Sequence, residues 1–358
     1  MVFSLHPLTS SAILMFFMVM EGALMMSLAK LALASVVLLS GQVMAEPFRV
    51  GIGGHPQAFP GTADEYVSLM KEYKFNSTRI DYYWSQIEKN KGVFDPRGNK
   101  IEDVIQKSKE NGISPLIILG YDNGLYFKGK PKTQQNYNDF ANYAGWVTHH
   151  FKGVSNTFEI WNEWSTFKVS LQEGHSQQSA DDYFNLVKTA SLNIKKNNPN
   201  ARVIAGSFNP LRRDEKDWAD KLINLGILNY IDGFSVHPYF FKNYEVVNPD
   251  QVLSGIDAAQ KEFKKIAGTD KDIPIYITEI GIPSNADFHG MNFSDEYIAN
   301  YSRTLISKAK KVPYIKGVWW YDLYDDGGSK KYSEHNFGVI DRNMKPKPTA
   351  LSIKSLSE

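Results

Sequence analysis

Residues 157–164 read Thr-Phe-Glu-Ile-Trp-Asn-Glu-Trp, a short, mostly apolar run that ends in polar residues. A long amphipathic segment at 180–196 follows it, and the same order of a short β-branched run and a longer amphipathic segment returns along the chain. This alternation is typical of a parallel sheet that is covered by helices.

Eight such pairs can be counted after residue 45, and eight βα units close a barrel. The predicted strands are 48–52, 77–81, 115–119, 157–161, 202–205, 233–236, 275–278 and 317–321. Predicted helices include 62–73, 136–151, 180–196, 249–266, 294–310 and a last helix at about 347–356. Asn-Gly at 111–112, Asn-Asn-Pro at 197–199 and Leu-Gly at 225–226 mark helix ends. The sequence therefore predicts an α/β protein with one (β/α)8 TIM barrel at 46–358.

Composition restricts the kind of partner. The 358 residues are 42% hydrophobic and 22% charged, with a formal charge of +1, which gives no electrostatic reason to expect nucleic acid and favours a neutral partner. Aromatic residues make up 13% of the chain, and those that are not in the core can cover the apolar faces of sugars. The chain has no cysteine, no His-Glu-x-x-His motif and no calcium-loop pattern, so we expect no metal and no cofactor.

The first 45 residues differ from the rest. Lys30 precedes an apolar run at 31–39, and Val-Met-Ala at 43–45 offers small or aliphatic residues before a cut. This pattern predicts a signal peptide at 1–45, and Met25 or Met26 would be a more natural start. The apolar run is too short for a spanning helix, so no membrane span should remain after cleavage. We expect an exported protein, either periplasmic or secreted.

Two glutamates stand at the predicted carboxyl ends of strands. Glu163 ends the fourth strand and Glu279 ends the seventh. Side chains at these ends of a barrel face a common cleft. Glycoside hydrolysis needs one carboxyl group to protonate the departing oxygen and another to attack the anomeric carbon or to activate water. The pair therefore points to a glycosidase.

Five ordered motifs resemble those of the clan A retaining glycoside hydrolases. They are Arg79-Ile-Asp81 with Trp84 and Glu88, Trp161-Asn162-Glu163, Ser235-Val-His237-Pro-Tyr239, Thr278-Glu279-Ile-Gly281 and Trp319-Trp320-Tyr-Asp322. The closest likeness is to family 39 members of bacterial exopolysaccharide systems. Likeness to family 5 is weaker, because the third strand ends in Gly-Tyr-Asp-Asn at 120–123, without the histidine that many family 5 enzymes carry there.

The resemblance implies a role for each matching residue. Glu163 would be the acid/base, with a raised pKa in the resting enzyme, and Glu279 the nucleophile. Arg79 would orient Glu279 and keep it charged. Three further residues would bind substrate or a carboxylate: Asn162 at the sugar 2-hydroxyl, Tyr239 as a donor to Glu279, and His237 beside them.

A stacking platform for a sugar ring is expected on the eighth strand. Trp320 is the candidate, although Trp319 could be the inward residue, since alternation puts the two on opposite faces. Asp81, Trp84, Asp122 and Asp322 are weaker candidates for the cleft.

The preferred function is a retaining hydrolase of β-glycosidic bonds, endo-acting on a bacterial exopolysaccharide. Retention predicts carboxyl groups about 5 to 5.5 Å apart. Its substrate would be a polysaccharide or oligosaccharide, and a monomer is expected. The alternatives are a non-catalytic glycan-binding barrel, a plant-polysaccharide β-glycanase or β-xylosidase, and a barrel enzyme of another class.

Overall fold

Eight parallel strands close into a barrel in which each strand pairs with its neighbours in the chain, and the first pairs with the last. The computed structural model describes residues 46–166, 169–239, 241–242, 245–284 and 292–357. The strands are β1 (Arg49–Gly53), β2 (Ser77–Tyr83), β3 (Ser114–Gly120), β4 (Thr157–Ile160), β5 (Arg202–Phe208), β6 (Gly233–Val236), β7 (Ile275–Ile280) and β8 (Ile315–Trp320). The predicted TIM barrel is confirmed.

Helices lie between the strands and outside the barrel. They are α1 (Ala63–Glu72), α2 (Trp84–Ile87), α3 (Lys100–Glu110), α4 (Gln134–His150), α5 (Leu171–Gly174), α6 (Gln177–Asn197), α7 (Arg213–Asn224), α8 (Pro249–Ala267), α9 (Asp295–Ala309) and α10 (Pro348–Lys354). In the described ranges, none of them is long and apolar enough to cross a membrane.

Local chemistry sets the helix ends. Thr62 caps α1 in a reciprocal capping box with Glu65, and Asn248 caps α8 ahead of Pro249. Both motifs satisfy backbone N–H groups that have no partner inside the helix. Gly268 ends α8 with a φ of 62°, a left-handed conformation that costs glycine little. The predicted bounds of these helices differ from the observed ones by one residue at each end, except that α8 begins at the predicted residue.

The inside of the barrel is filled by a small cluster that is separate from the main core. It contains Leu116, Ile118, Ile204, Tyr276 and Trp319. Trp319 fits because its ring lies over Gly51, where an added Cβ would fall 2.1 Å from Trp319 Cδ1. This cluster closes the barrel below the carboxyl ends of the strands, so the polar side chains lie above an apolar floor.

The predicted signal peptide at 1–45 lies outside the described residues, and its cleavage stays a prediction. In the connection from β6 to α8, Phe241–Lys242 pairs antiparallel with Glu245–Val246.

Candidate active site

Arg79 on β2 joins the predicted site residues. It is buried, and its Nη1 donates to Glu279 Oε2 at 2.8 Å while Nη2 donates to Asn162 Oδ1 at 2.7 Å. Its Nε donates to Glu159 Oε2 at 2.7 Å. Burial opposes the charge, but the carboxylates of Glu159 and Glu279 outweigh it and raise the pKa of Arg79. A fixed cation therefore holds Glu279 of β7 and Asn162, two residues beyond β4, in place.

Glu163, His237 and Glu279 converge above Arg79. One ligating atom from each lies within 4.8 Å of the others. Nδ1 of His237 is 3.0 Å from Glu163 Oε1 and 4.0 Å from Glu279 Oε2. One carboxylate oxygen of Glu163 is thus within 4.8 Å of one of Glu279. This spacing fits the roughly 5 to 5.5 Å of retaining enzymes better than the roughly 6.5 to 9.5 Å of inverting ones.

The proton on His237 can be placed from its contacts. The Glu163 carboxylate can only accept, so Nδ1, which is 3.0 Å from Glu163 Oε1, carries a proton and donates to it. Nε2 lies 3.1 Å from Thr278 Oγ1 and 3.3 Å from Arg79 Nη2.

Tyr239 donates from its hydroxyl to Glu279 Oε1 at 3.1 Å, as the motif suggested. Asn209 holds the Tyr239 carbonyl oxygen through its side-chain amide. With Arg79 on Oε2 and Tyr239 on Oε1, both oxygens of Glu279 accept a hydrogen bond. The carboxylate plane is therefore fixed.

Glu159 on β4 was not recognised from the sequence. It is fully buried, and its Oε1 accepts from Ser207 Oγ at 2.8 Å and from Thr278 Oγ1 at 3.2 Å. Burial raises its pKa, but the charges of Arg79 and His237 and the hydrogen bonds from Arg79 and Ser207 together outweigh burial and leave the pKa lowered. The sequence did contain a signal for it, because side chains alternate between the two faces of a strand. Glu159 lies two residues before Trp161 and four before Glu163, next to the apolar Phe158 and Ile160.

The backbone after β4 is unusual. Trp161 has a φ of 63° and Glu163 a φ of 49°, both in the left-handed region that non-glycine residues seldom occupy. Such conformations cost about 1–3 kcal/mol each and are concentrated at functional sites. Here they direct Asn162 to Arg79 and Glu163 to His237.

The expectation of a raised pKa for Glu163 is wrong for the free protein. Burial does raise it, but the hydrogen bond from His237 and the charges of His237 and Arg79 lower it further than burial raises it. The net direction is down. The sequence could not show this because His237 lies 74 residues away in the chain.

The prediction for Trp320 is also wrong. Its side chain is buried and packs outside the barrel beside Tyr301 of α9, with ring centroids 6.4 Å apart. Trp319 faces inward, but it lies in the floor and donates from Nε1 to Ser77 Oγ at 3.0 Å. Tyr321, one residue beyond β8, is the aromatic ring that lines the cleft.

The cleft has two connected parts. A cavity of about 470 Å³ is lined by Arg79, Asn162, Glu163, Tyr239, Glu279 and Tyr321, among others. A second cavity of about 980 Å³ shares His55, Asp81 and Asn162 with it. The two together form an extended groove across the barrel mouth.

The weaker candidates divide between groove and interior. Asp81 lines both cavities and accepts from the Tyr121 hydroxyl at 2.8 Å, and Asp122 lines the larger cavity. Trp84 is buried and donates to Glu88, away from the cleft. Asp322 is also buried, and burial raises its pKa well above its ordinary value.

In the described part of the chain, two groups of His, Asp and Glu side chains have ligand atoms close enough together to hold a metal ion. One is Glu163, His237 and Glu279, and the other is His55, Asp322 and Asp326. His55 Nδ1 is 2.6 Å from Asp326 Oδ2, and that contact raises the pKa of His55 to about 9 although burial opposes it. The expectation of no metal and no cofactor stays a prediction.

Comparison with known proteins places the chain in a family. The model of the cellulase family, glycosyl hydrolase family 5, matches residues 45–322. Because this model matches, the missing histidine after the third strand does not exclude family 5. No curated protein matches the sequence.

Solved structures share the fold at low identity. A family 39 glycoside hydrolase from Bacteroides cellulosilyticus WH2 has a TM-score of 0.69 at 22% identity, over 87% of this chain and 64% of that one. The GH5_18 protein from Streptomyces cattleya, in complex with GlcNAc, has a TM-score of 0.66 at 13% identity, over 87% and 80%. Xylanase 10B from Thermotoga petrophila RKU-1 has a TM-score of 0.62 at 16% identity, over 86% and 93%.

The clan predicted from the five motifs is confirmed by the match to family 5 and by the shared fold. The chain spans less than two thirds of the family 39 enzyme. Because the family model matches residues 45–322, most of this chain, the chain belongs to glycosyl hydrolase family 5, within the clan A retaining glycoside hydrolases.

Proposed function

We propose that this protein hydrolyses β-glycosidic bonds by double displacement, with Glu163 as acid/base and Glu279 as nucleophile. The observation that carries the proposal is the approach of their carboxylate oxygens to within 4.8 Å in the catalytic cavity. That separation leaves room for an anomeric carbon but not for a separate water between the sugar and the base.

In the first step, an oxygen of Glu279 attacks the anomeric carbon while the bond from that carbon to the leaving oxygen breaks. Glu163 gives its proton to the leaving oxygen, and a covalent glycosyl-enzyme forms. Arg79 and Tyr239 hold both oxygens of Glu279, so the attack needs little reorganisation.

Glu163 must carry a proton at that moment, although its pKa is lowered in the free protein. Its side chain is 33% exposed before substrate binds. A sugar bound over it removes water, and loss of water raises the pKa of a carboxyl group. Substrate binding therefore favours the protonated form that the first step requires.

In the second step, Glu163 takes a proton from water, and that water attacks the anomeric carbon. The bond to Glu279 breaks, and the sugar leaves with its original anomeric configuration. Asn162, held by Arg79, is placed to donate to the sugar next to the reacting carbon.

The proposed substrate is a β-linked polysaccharide, in particular a bacterial exopolysaccharide, that is cut within the chain. Support for internal cutting comes from the 980 Å³ cavity that extends the catalytic one, because a long groove can hold sugars beyond the cleavage point. The structural neighbours include xylanases, so plant β-glycans belong in the same test.

The test is release of reducing ends from a panel of β-linked polysaccharides by the parent protein, Glu163→Gln and Glu279→Gln. We expect activity on at least one polymer and its loss in both variants. Glu296→Gln on the exposed face of α9 is the matched control and should keep parental activity. Undiminished activity in Glu163→Gln or Glu279→Gln would remove that residue from its role, and glycan binding without hydrolysis in the parent would favour a non-catalytic barrel.

We also propose that the protein is exported after cleavage behind residue 45, on the strength of the apolar leader at 31–39. Amino-terminal sequencing of protein recovered from the periplasm and the medium should give Glu46 as the first residue. Full-length protein retained in the cytoplasm would contradict export.

A further inference from the structure

The larger cavity of the groove carries a row of cations from one connection. Lys128, Lys130 and Lys132, in the segment between β3 and α4, all line it. We call these residues the lysine row. In the described part of the chain, none of them makes an ion pair with a carboxylate within 4.0 Å.

Lys130 is the central member of the row and is half-buried. Its Nζ donates to the Trp164 carbonyl oxygen and lies 5.3 Å from the centroid of the Trp164 ring. Both contacts are with uncharged groups. A desolvated ammonium group is costly unless an anion accompanies it, and burial lowers the pKa of Lys130 to about 8.

Three carboxylates, those of Asp81, Asp122 and Glu173, line the same cavity, and among the described residues none of them forms an ion pair with the row within 4.0 Å. Asp122 Oδ2 accepts from the Gly129 backbone N–H at 2.7 Å, which folds the connection on itself. Asp182, behind Lys130, accepts from the Tyr137 hydroxyl at 2.9 Å. Glu173 lines this cavity and the smaller one beside Lys130, and its charge raises the pKa of Lys130 while burial lowers it further.

Aromatic rings border the same cavity near the catalytic end. Tyr83 and Tyr121 line it, with ring centroids 6.1 Å apart. Their faces can cover the apolar side of a pyranose while the row meets a charged substituent.

We propose that the groove binds an acidic sugar residue, one that bears a carboxylate as a uronate does, against the lysine row beside the cleavage point. Lys130 makes the main contact with the carboxylate, and Lys128 and Lys132 flank it. The inference rests on the proposed glycosidase function, since it names the class of substrate for that site. It departs from the neutral partner that composition favoured.

The test is calorimetric binding of β-linked tetramers of glucuronate and mannuronate, each beside its carboxyl-reduced neutral counterpart. Glu279→Gln protein is used so that binding is measured without turnover. A charge-assisted hydrogen bond contributes about 1.5–3 kcal/mol, so we expect at least one acidic tetramer to bind about tenfold or more tightly than its neutral counterpart.

Lys130→Met in the same background should abolish most of that preference and leave affinity for the neutral tetramer unchanged. Lys130→Arg should keep the preference. Lys271→Met, at the exposed position before β7, is the matched control and should behave as the parent.

The pH dependence of binding gives a second readout. Because an anion binds the charged form of the lysine, affinity for the acidic tetramer should fall above about pH 8 with lysine at 130 but not with arginine. Glu173, Lys132 and Asp182 line the smaller cavity together with residue 130. They are the same in the Lys130 protein and in Lys130→Arg, so their charges do not account for a difference between the two pH profiles.

Equal binding of acidic and neutral tetramers, binding of neither acidic tetramer, or an unchanged preference in Lys130→Met would overturn the proposal. The result is independent of hydrolysis. Absence of reducing ends in the panel assay together with acidic preference here would refute the glycosidase and leave the acidic-sugar site intact.

Discussion

The Nη1 atom of Arg79 donates a 2.8 Å hydrogen bond to Oε2 of Glu279, across 200 residues of sequence. The same guanidinium donates to Glu159 and Asn162, so one buried cation sets the positions of β2, β4 and β7 side chains. Stability and chemistry therefore depend on the same contacts at this point.

Arg79→Met should lower both activity and stability. Glu159 would remain buried without its cation, which typically costs about 3–5 kcal/mol of unfolding free energy. Loss of preorganised donors to Glu279 should also lower kcat by about 10²–10³. Denaturant unfolding and initial rates measure the two effects.

A double variant separates them. Arg79→Met with Glu159→Gln should regain part of the stability, because no buried carboxylate is left unpaired, but none of the activity. Arg213→Met, at a 73% exposed position, should change stability by less than about 0.5 kcal/mol. Full stability in Arg79→Met alone would contradict the importance of the buried pair.

His237→Asn should move the alkaline limb of the pH profile of kcat/KM to higher pH. Burial raises the pKa of Glu163 and His237 lowers it, so removing the histidine raises it. A general acid works below its pKa, and a higher pKa extends the active range upward. His149→Asn, on the exposed side of α4, is the control. An alkaline limb that stays in place or moves down would show that His237 does not set the pKa of Glu163.

Alanine substitutions at Trp320 and Tyr321 should have opposite effects on stability and on KM. Trp320→Ala should cost about 3–5 kcal/mol of stability, because it opens a cavity between barrel and α9, with little effect on KM. Tyr321→Ala should raise KM, because its ring lines the catalytic cavity, with a smaller loss of stability. Thermal unfolding and Michaelis–Menten kinetics on both variants check this, and a KM effect confined to Trp320→Ala would reverse the assignment.

Glu215 should make stability depend on pH. Burial raises its pKa to about 7, so between about pH 4.5 and 7 the folded protein holds a proton that the unfolded chain has lost. Unfolding free energy contributed by this group is therefore present at low pH and declines as pH rises to about 7, by on the order of 3 kcal/mol. Glu215→Gln should flatten that decline in urea titrations at pH 5 and pH 8. An identical decline in parent and variant would exclude Glu215 as its source.

The barrel and the site carboxylates could be predicted because both depend on local pattern. Strand runs alternate with amphipathic helices, and both glutamates lie near the carboxyl end of a strand, Glu163 three residues after β4 and Glu279 one residue before the end of β7. The aromatic ring that would stack on a sugar could not be predicted. β8 ends at Trp320, and the register of the barrel decides whether Trp319, Trp320 or Tyr321 faces the cleft. Glu159 was missed for a similar reason, since its inward direction becomes clear only when β3 and β5 lie beside β4.

The pKa of Glu163 shows a second limit. Its direction depends on His237, which β6 brings to 3.0 Å, and no spacing in the sequence reports that contact. The lysine row is similar, because Lys128, Lys130 and Lys132 are an ordinary basic stretch until the fold places them on the groove.

The covalent intermediate is the most direct test of double displacement. An aryl glycoside with a good leaving group needs no acid for the first step, while Glu163→Gln lacks the base for the second, so the glycosyl-enzyme should accumulate. Intact mass spectrometry of quenched Glu163→Gln protein should show one added glycosyl group, and peptide mapping should place it on Glu279. Turnover of the aryl glycoside without an adduct, or an adduct on any other residue, would contradict the account.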